Sequence, residues 1–174
     1  MPNEAMGLAL GAGAMWPTIQ RFGYLMFSIA VLTSHAGEGR EDAIHTVELQ
    51  HAEVWSKGRV ELIPEIYTPD FVGHFPGGAV RGQNGIRERV LTHRAAFPDW
   101  NETIVDSICE GDKVATRFVS RGTNLGPFLG SPATGNSVEI SEVAIYRLSG
   151  GKIAEQWVYP DMLAMEQQLS AKPD

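Results

Sequence analysis

The sequence is poor in cysteine and in positive charge. A single cysteine, Cys109, cannot form an intramolecular disulfide or supply a cysteine-rich metal site. The 14 Lys and Arg residues are outnumbered by 21 Asp and Glu residues, so the formal net charge is −7, and a chain of this sign repels the phosphates of nucleic acid. No uninterrupted apolar run reaches the roughly 18 to 20 residues that cross a bilayer. These shortages argue against a disulfide scaffold, a nucleic-acid-binding protein and a multi-span membrane protein.

The remaining composition is typical of one globular domain. The chain has 174 residues, of which 43% are hydrophobic and 20% are charged, and this balance provides enough apolar surface for one core. No internal repeat or low-complexity tract is present.

Residues 1–40 have the pattern of a signal peptide, with a disordered leader as an alternative. Arg21 precedes an apolar stretch over residues 22–32, and the small residues of Ser34-His35-Ala36 precede Gly37. A basic residue, about ten apolar residues and a small-x-small site predict a secretory signal peptide with cleavage after Ala36. A membrane anchor is the alternative, and Met15 is an alternative start that would give a leader of more usual length. We therefore predict an exported protein, periplasmic or secreted, with no membrane contact after processing; without a true signal peptide it would be cytoplasmic.

Residues 41–170 carry the predicted domain, and its first half shows helical spacing. Ile44, Val47, Val54 and Trp55 share one face of a helix over residues 41–58, with His51 on the same face. A second apolar segment covers residues 60–67, a short strand covers 71–75, Pro76-Gly77-Gly78 forms a turn, and a third helix covers 83–97 before Pro98.

The second half is rich in β-branched residues. Strands are predicted over residues 103–109, 114–121, 138–148 and 153–159, with hairpin turns at residues 110–112 and 149–151 and a short helix over 162–169. Helices followed by mostly antiparallel strands predict an α+β fold, in which the helices cover one face of a curved sheet and enclose a pocket. The glycine-rich segment from Gly122 to Gly135 suits a lid or rim beside that pocket, or an ordinary surface connection.

A series of short motifs resembles a known family. They occur in this order: Tyr67-Thr68-Pro69-Asp70-Phe71-Val72, Phe97-Pro98-Asp99, Gly122-Thr123, Gly130-Ser131-Pro132-Ala133-Thr134-Gly135, Tyr146-Arg147, Gly151-Lys152-Ile153, Glu155-Gln156-Trp157 and Pro160-Asp161. Their order and spacing resemble the SnoaL-like polyketide cyclases (ester cyclases) of the nuclear-transport-factor-2-like superfamily, from about Glu41 to Leu169. The resemblance implies a cone-shaped α+β domain.

The resemblance also implies a chemistry. Cyclases of this family close a ring by an intramolecular aldol reaction, with an acidic residue as general acid/base and with no metal or organic cofactor. Aligned on the Gly-Lys-Ile and Pro-Asp motifs, the acidic residue of the cyclases falls at Val158 and their histidine at Ala144. Their neighbouring pocket glutamine falls at Glu142, so a carboxylate remains on that strand at another position.

Three residues are candidates for catalysis. Glu142 shares its strand face with the apolar residues Val138, Ile140, Ala144, Tyr146 and Leu148, and burial there would raise its pKa toward the range of a base acting at neutral pH. The alternatives are a structural ion pair with Arg117 or Arg121, or a position at a sheet edge that meets solvent. His74 follows the Asp-Phe-Val segment beside a turn, where the resemblance implies a polar pocket position, and a loop histidine without function is the alternative. Asp161 precedes a helix and fits an N-cap better than a catalytic group.

Five residues are candidates for binding substrate. Arg117 would bind an anionic or enolate oxygen if its strand face points inward, and would be solvated if it points outward. His51 and His93 lie on apolar helix faces, where hydrogen-bonded core residues are the more common case, and no HxH or HExxH spacing predicts a metal. Trp55 and Gln156 complete the set.

We therefore predict a protein that binds a small hydrophobic carbonyl compound and has no cofactor. A cyclase, isomerase or dehydratase reaction by acid/base chemistry is one hypothesis, with Glu142 as the base. A non-catalytic binding or dimerisation module of the same fold is the alternative. The loss of both cyclase groups at Val158 and Ala144 favours the alternative, and retention of Glu142, His74 and the glycine-rich loop favours the enzyme. Trp157 and Tyr159 share a strand face suited to helix packing or to contact within a homodimer.

Overall fold

The computed structural model describes residues 39–171. The predicted signal peptide and its cleavage site after Ala36 lie outside this range. Among residues 39–171, no helix has the length and the apolar character needed to span a membrane.

The first helix, α1, covers residues 39–49 and continues as a π-helical segment, Gln50–Trp55. Gln50 and Trp55 would point about 140° apart in an ideal α-helix. The wider π-helical turn places both on the buried side, where Trp55 Nε1 donates to Gln50 Oε1 at 3.0 Å. Gly58, with a φ of 71°, ends this helical region, as the sequence predicts.

The remaining elements follow the predicted order, with an earlier start of one strand and one additional strand. The second apolar segment forms a 3-10 turn at Val60–Leu62 and the short helix α2 (Ile63–Ile66), and strand β1 (Tyr67–Phe75) begins earlier than predicted. The turn at residues 76–78 pairs β1 with an additional strand, β2 (Gly78–Arg81), which is too short to show alternation. Helix α3 (Gly82–Ala96) follows, then β3 (Asn101–Glu110), β4 (Lys113–Thr123), β5 (Ser137–Ser149), β6 (Lys152–Pro160) and helix α4 (Met162–Ser170).

The six strands form one curved sheet in the order β2-β1-β6-β5-β4-β3, and only β1 and β6 are parallel. This confirms the predicted α+β class with a mostly antiparallel sheet. One apolar core joins α1 and α3 to the inner face of the sheet through Val54, Val90, Phe71, Phe118 and Tyr146. A second core joins the end of α3 to β5 and α4 through Phe97, Trp100, Ile140 and Met165. The helices therefore cover one face of the sheet, and the functional groups described next lie between these layers.

Candidate functional site

Two small cavities lie between the helices and the inner face of the sheet. The inner cavity, about 60 Å³, has a wall of polar side chains, and the apolar residues Trp55, Phe75, Trp100 and Val158 complete it. Its polar wall consists of Gln50, His51, Arg89, His93, Glu102 and Gln156. The outer cavity, about 50 Å³, is lined mainly by apolar residues and shares Arg89, His93 and Trp100 with the inner one. The two spaces are therefore adjacent.

A chain of buried hydrogen bonds leads to the carboxylate of Glu102. Gln50 Nε2 donates to the hydroxyl of Tyr146 at 3.4 Å, and that hydroxyl lies 2.8 Å from His51 Nε2. His51 Nδ1 lies 2.6 Å from Glu102 Oε2, and Trp100 Nε1 donates to Glu102 Oε1 at 3.1 Å. The side chains of His51 and Glu102 are only 3% and 7% exposed, so this pairing is sheltered from water.

The partners of Gln50 and Tyr146 determine which atom donates in each of these hydrogen bonds. Gln50 Oε1 accepts from Trp55 Nε1 and from the hydroxyl of Tyr67, so its amide nitrogen faces Tyr146. Burial raises the pKa of Tyr146 well above its usual value, and its hydroxyl therefore keeps its proton and donates to His51 Nε2. Nε2 is then the acceptor and Nδ1 carries the proton that is donated to Glu102. Glu102 is the terminal acceptor of this series.

Glu102 is the functional candidate that the sequence did not single out. Its backbone N–H donates to the hydroxyl of Ser56, which itself donates to the His51 carbonyl, so the ends of β3 and α1 are tied together beside the pair. The available signal was the alternation of Trp100, Glu102 and Ile104 at the start of β3. Most acidic residues at a strand end face water, and the sequence alone did not distinguish this one.

Glu142 lies on the inner face of β5, as its alternation predicts, and is 7% exposed. Its Oε1 has no hydrogen-bond partner among the residues described. Burial, with a further contribution from the nearby carboxylate of Glu102, raises its pKa to about 8. Glu142 is therefore protonated at neutral pH, and its side chain lines neither cavity.

His93 and Gln156 have unused polar atoms at the inner cavity. His93 Nε2 and Gln156 Oε1 are buried without a hydrogen-bond partner in residues 39–171. Burial among aromatic rings, with Arg89 and Arg94 nearby, lowers the pKa of His93 to about 3, so its ring is neutral at physiological pH. A bound molecule could satisfy both atoms.

Arg89 brings a positive charge to both cavities. Its guanidinium lies 5.3 Å from the centre of the Phe75 ring, and its Nη2 donates to the carbonyl of Pro76 at 3.2 Å. A guanidinium carries five N–H groups, so further donors remain for an oxygen of a ligand. The strand pattern predicts this cationic role at Arg117 instead.

Three other predicted site residues lie away from the cavities. Arg117 points to the outer face of the sheet, where it is exposed and paired with Asp106 at 2.7 Å. Because alternation along β4 directs Thr116 and Phe118 inward, Arg117 has the solvated position that was the alternative to binding an oxygen of the substrate. His74 also lies on the outer face, stacked on Trp157 and 3.0 Å from Glu155, since Gly73 and Phe75 occupy the inner positions of β1. Asp161 caps α4, accepting from the backbone N–H of Ala164 at 2.9 Å.

The other predicted contacts are distributed between the two faces. Trp55, His51, His93 and Gln156 line the inner cavity. Trp157 and Tyr159 lie on the outer face of β6, and Tyr159 is 60% exposed; their contact within a homodimer stays a prediction. In the part of the chain that the structure describes, no group of three or more His, Cys, Asp or Glu residues is placed to hold a metal ion.

Comparison with known proteins identifies relatives of this fold. The family model for SnoaL-like polyketide cyclases matches residues 45–169. A candidate SnoaL-like polyketide cyclase from Jannaschia sp. CCS1 is 28% identical with a TM-score of 0.72, and the match covers 77% of this chain and 95% of that one. IdmH, a candidate polyketide cyclase from Streptomyces antibioticus, is 32% identical with a TM-score of 0.64, covering 74% of this chain and 99% of that one. TsrD from Streptomyces laurentii is 27% identical with a TM-score of 0.69, covering 76% and 98%. No curated protein matches the sequence.

Proposed function

The chain belongs to the SnoaL-like polyketide cyclase family, and from this premise we propose that it binds a small hydrophobic carbonyl compound and removes a proton from the carbon next to the carbonyl, with Glu102 as the base. The observation that carries the proposal is that Glu102 lines the inner cavity and is also the last acceptor in the buried hydrogen bonds from Tyr146 to His51 and from His51 to Glu102.

The proposed reaction starts with transfer of a proton from carbon to a carboxylate oxygen of Glu102. The C–H electron pair becomes the carbon–carbon double bond of an enolate, and the carbonyl oxygen takes the negative charge. The guanidinium of Arg89 lies at the same cavity and would stabilise that oxygen. The enolate carbon then takes a proton back from Glu102, or it attacks a second carbonyl within the same molecule to close a ring. In the second case the new alkoxide oxygen takes the proton from Glu102, which returns to its carboxylate form.

His51 is a positioning residue in this scheme. Its Nδ1–H holds one oxygen of Glu102, and Tyr146 holds its other ring nitrogen. Both ring nitrogens are therefore engaged, and the exchanged proton goes to the carboxylate and not to the imidazole. Trp100 holds the second oxygen, so the carboxylate is fixed in direction before the ligand binds.

Glu102 provides a carboxylate in a cavity where the family resemblance leads us to expect one from another strand. Val158 occupies the position that the resemblance assigns to the acidic residue of the cyclases, and Val158 lines the inner cavity together with Glu102. Glu142, the base favoured by the sequence, lies outside both cavity walls and holds a proton at neutral pH. We therefore assign the base to Glu102.

The test is deuterium incorporation followed by NMR. The full chain would be incubated in heavy water with methyl acetoacetate and 2-cyclohexenone. We expect exchange above the uncatalysed background, and a loss of about 100-fold or more in Glu102→Gln, the effect expected for removal of a general base. Glu139→Gln is the matched control, because Glu139 is exposed and paired with Arg121 on the outer face.

Glu142→Gln distinguishes the two carboxyl groups. It should retain exchange if Glu102 is the base. Loss of exchange in Glu142→Gln together with full exchange in Glu102→Gln would reject our assignment and support the hypothesis from the sequence.

A non-catalytic binding module is the second candidate function, and the valine at position 158 favours it. That function predicts perturbation of the cavity residues by the same compounds with no exchange in any variant. Tryptophan fluorescence measures such binding, because Trp55 and Trp100 both line the inner cavity.

A further inference from the structure

A third space does not contain Glu102. It is a groove of about 330 Å³ between α4 and the loop over residues 124–136. Its apolar lining consists of Phe128, Leu129, Pro132, Met162, Met165 and Leu169. This groove is more than five times the volume of either cavity described above.

The groove, the outer cavity and the inner cavity follow one another. Phe128, Leu129, Met162 and Met165 line both the groove and the outer cavity. The outer cavity in turn shares Arg89, His93 and Trp100 with the inner cavity. The three spaces are therefore adjacent. A molecule that extends from Glu102 to the groove would pass through the outer cavity.

The small inner cavity limits what can be enclosed. Cavities that enclose a drug-sized ligand typically measure about 300 to 1,000 Å³, and the inner cavity measures about 60 Å³. It is sized for the reacting head of a ligand only, so the remainder of a larger ligand needs another surface.

Leu129 lies where the groove meets the outer cavity, in an unfavourable backbone conformation. The backbone N–H and carbonyl groups of Phe128 and Ser131 bond to each other at 3.0 and 2.9 Å and close a tight turn. Its two central residues, Leu129 and Gly130, have φ values of 48° and 83°. Turns with two positive φ angles favour Asn and Gly, and a branched residue such as leucine is a rare occupant.

Leu129 is also 60% exposed. A leucine that is both strained and exposed does little for the stability of the folded chain by itself. Strain of this kind is concentrated at ligand clamps and similar functional positions. Leu129 lines both the groove and the outer cavity. This position indicates that its side chain makes an apolar contact with a ligand.

We propose that the groove binds the apolar, uncharged arm of the ligand and that Leu129 clamps this arm at the entrance to the outer cavity. The position of the carbonyl head beside Glu102 rests on the proposed function. The uncharged character follows from Glu166, which lines the groove, and from the net charge of −7, both of which disfavour an anionic chain.

The experiment compares β-keto esters that differ only in chain length. Methyl acetoacetate and methyl 3-oxodecanoate would be titrated into the full chain, and binding would be followed by the assigned methyl signals of Met162 and Met165. We expect the longer ester to bind at least tenfold more tightly, because its additional methylene groups are buried in the groove. Equal affinity of the two esters would overturn the proposal.

Two leucine variants locate the contact. Leu129→Asn, which suits the turn, should remove about tenfold of the chain-length gain, measured as the ratio of the affinities of the two esters. Leu163→Asn is the matched control, because Leu163 is 65% exposed on α4 and lines none of the three spaces. An equal loss of affinity for the longer ester in both variants would reject Leu129 as the clamp. Leu129→Gly is a second substitution that suits the turn, and it should have the same effect as Leu129→Asn.

Deuterium exchange separates this proposal from the proposed function. Tighter binding of the longer ester without deuterium exchange would support the groove as a binding site and reject Glu102 as the base. Deuterium exchange with equal affinity of the two esters would support Glu102 as the base and reject the groove as a binding site.

Discussion

Glu102 of β3 and Val158 of β6 line the same cavity, although β4 and β5 lie between their strands in the sheet. Curvature of the sheet brings the inner faces of strands that are not neighbours toward one space. A carboxylate can therefore be present in this cavity even though the last strand carries a valine. The site is better described by which side chains face the cavity than by which strand carries them.

The first prediction concerns the hydroxyl of Tyr146. Tyr146→Phe removes the donor to His51 Nε2, and the remaining contact, from Thr116 Oγ1, is 3.4 Å long. We expect the free energy of unfolding to fall by about 1–3 kcal/mol, because a buried acceptor loses its best partner. Urea unfolding measures this loss. Tyr159→Phe, at an exposed position, is the control, and a loss of the same size there would contradict the role of the buried series.

The same variant has a spectroscopic signature. Nitrogen-15 NMR of His51 should show the Nδ1–H tautomer in the unmodified chain, because Nε2 accepts from Tyr146. In Tyr146→Phe the preference for this tautomer should weaken. A wild-type spectrum with the proton on Nε2 would reverse the direction that we assign to the hydrogen bonds.

The second prediction concerns pH and Glu142. Its pKa is about 8 in the folded chain against an ordinary value of 4.5, so between these pH values the unfolded chain has released a proton that the folded chain keeps. The contribution of protonated Glu142 to the free energy of unfolding is therefore fully present below about pH 4.5 and is lost as the pH rises toward 8. Glu142→Gln cannot titrate, and its unfolding free energy relative to the unmodified chain should increase over this range by at most about 1.4 kcal/mol per pH unit.

Unfolding in urea at pH 5, 6.5 and 8 tests this dependence. Glu139→Gln is again the matched control, since its exposed carboxylate is paired on the outer face. A difference between Glu142→Gln and the unmodified chain that is independent of pH would show that burial does not raise the pKa of Glu142.

The third prediction separates two roles of Asp161. Asp161→Ala should lower the free energy of unfolding by about 0.5–2 kcal/mol, because the backbone N–H of Ala164 loses its cap. Asp161→Asn should retain most of the stability, since asparagine also caps helices. Thermal unfolding together with the deuterium exchange assay distinguishes the roles: an Asn variant that is stable but inactive would indicate catalysis by Asp161.

The fourth prediction concerns the leader. Protein purified from its natural host should begin at Gly37, because the small-x-small pattern that ends at Ala36 matches a signal peptidase site. N-terminal sequencing of the soluble protein measures this directly, and retention of Met1 on soluble protein would contradict export.

Local patterns in the sequence predicted much of the fold. Alternation along residues 138–148 correctly placed Glu142 on the buried face of β5, and Gly58 marked the end of the first helical region. Asp161 was expected as a helix cap and has that geometry. These features depend on interactions within a few residues, so they are visible in the sequence.

Some outcomes depended on contacts that local patterns do not contain. Alternation places Arg117 opposite Phe118 but is the same whichever face is buried, and only packing against α1 and α3 decided that Arg117 faces outward. His74 faces outward for the same reason, because Gly73 and Phe75 take the inner positions.

The sequence by itself determined the family, the α+β class and the periodic faces of the main elements, because spacing and turn residues act locally. Tertiary structure alone decided the site. The π-helical turn directs Gln50 and His51 inward, and the curved sheet brings β3 and β5 to them, so that Tyr146, His51 and Glu102 meet. Any two of these three residues are at least 44 positions apart along the chain and lie on different elements, and only folding joins them into one hydrogen-bonded series.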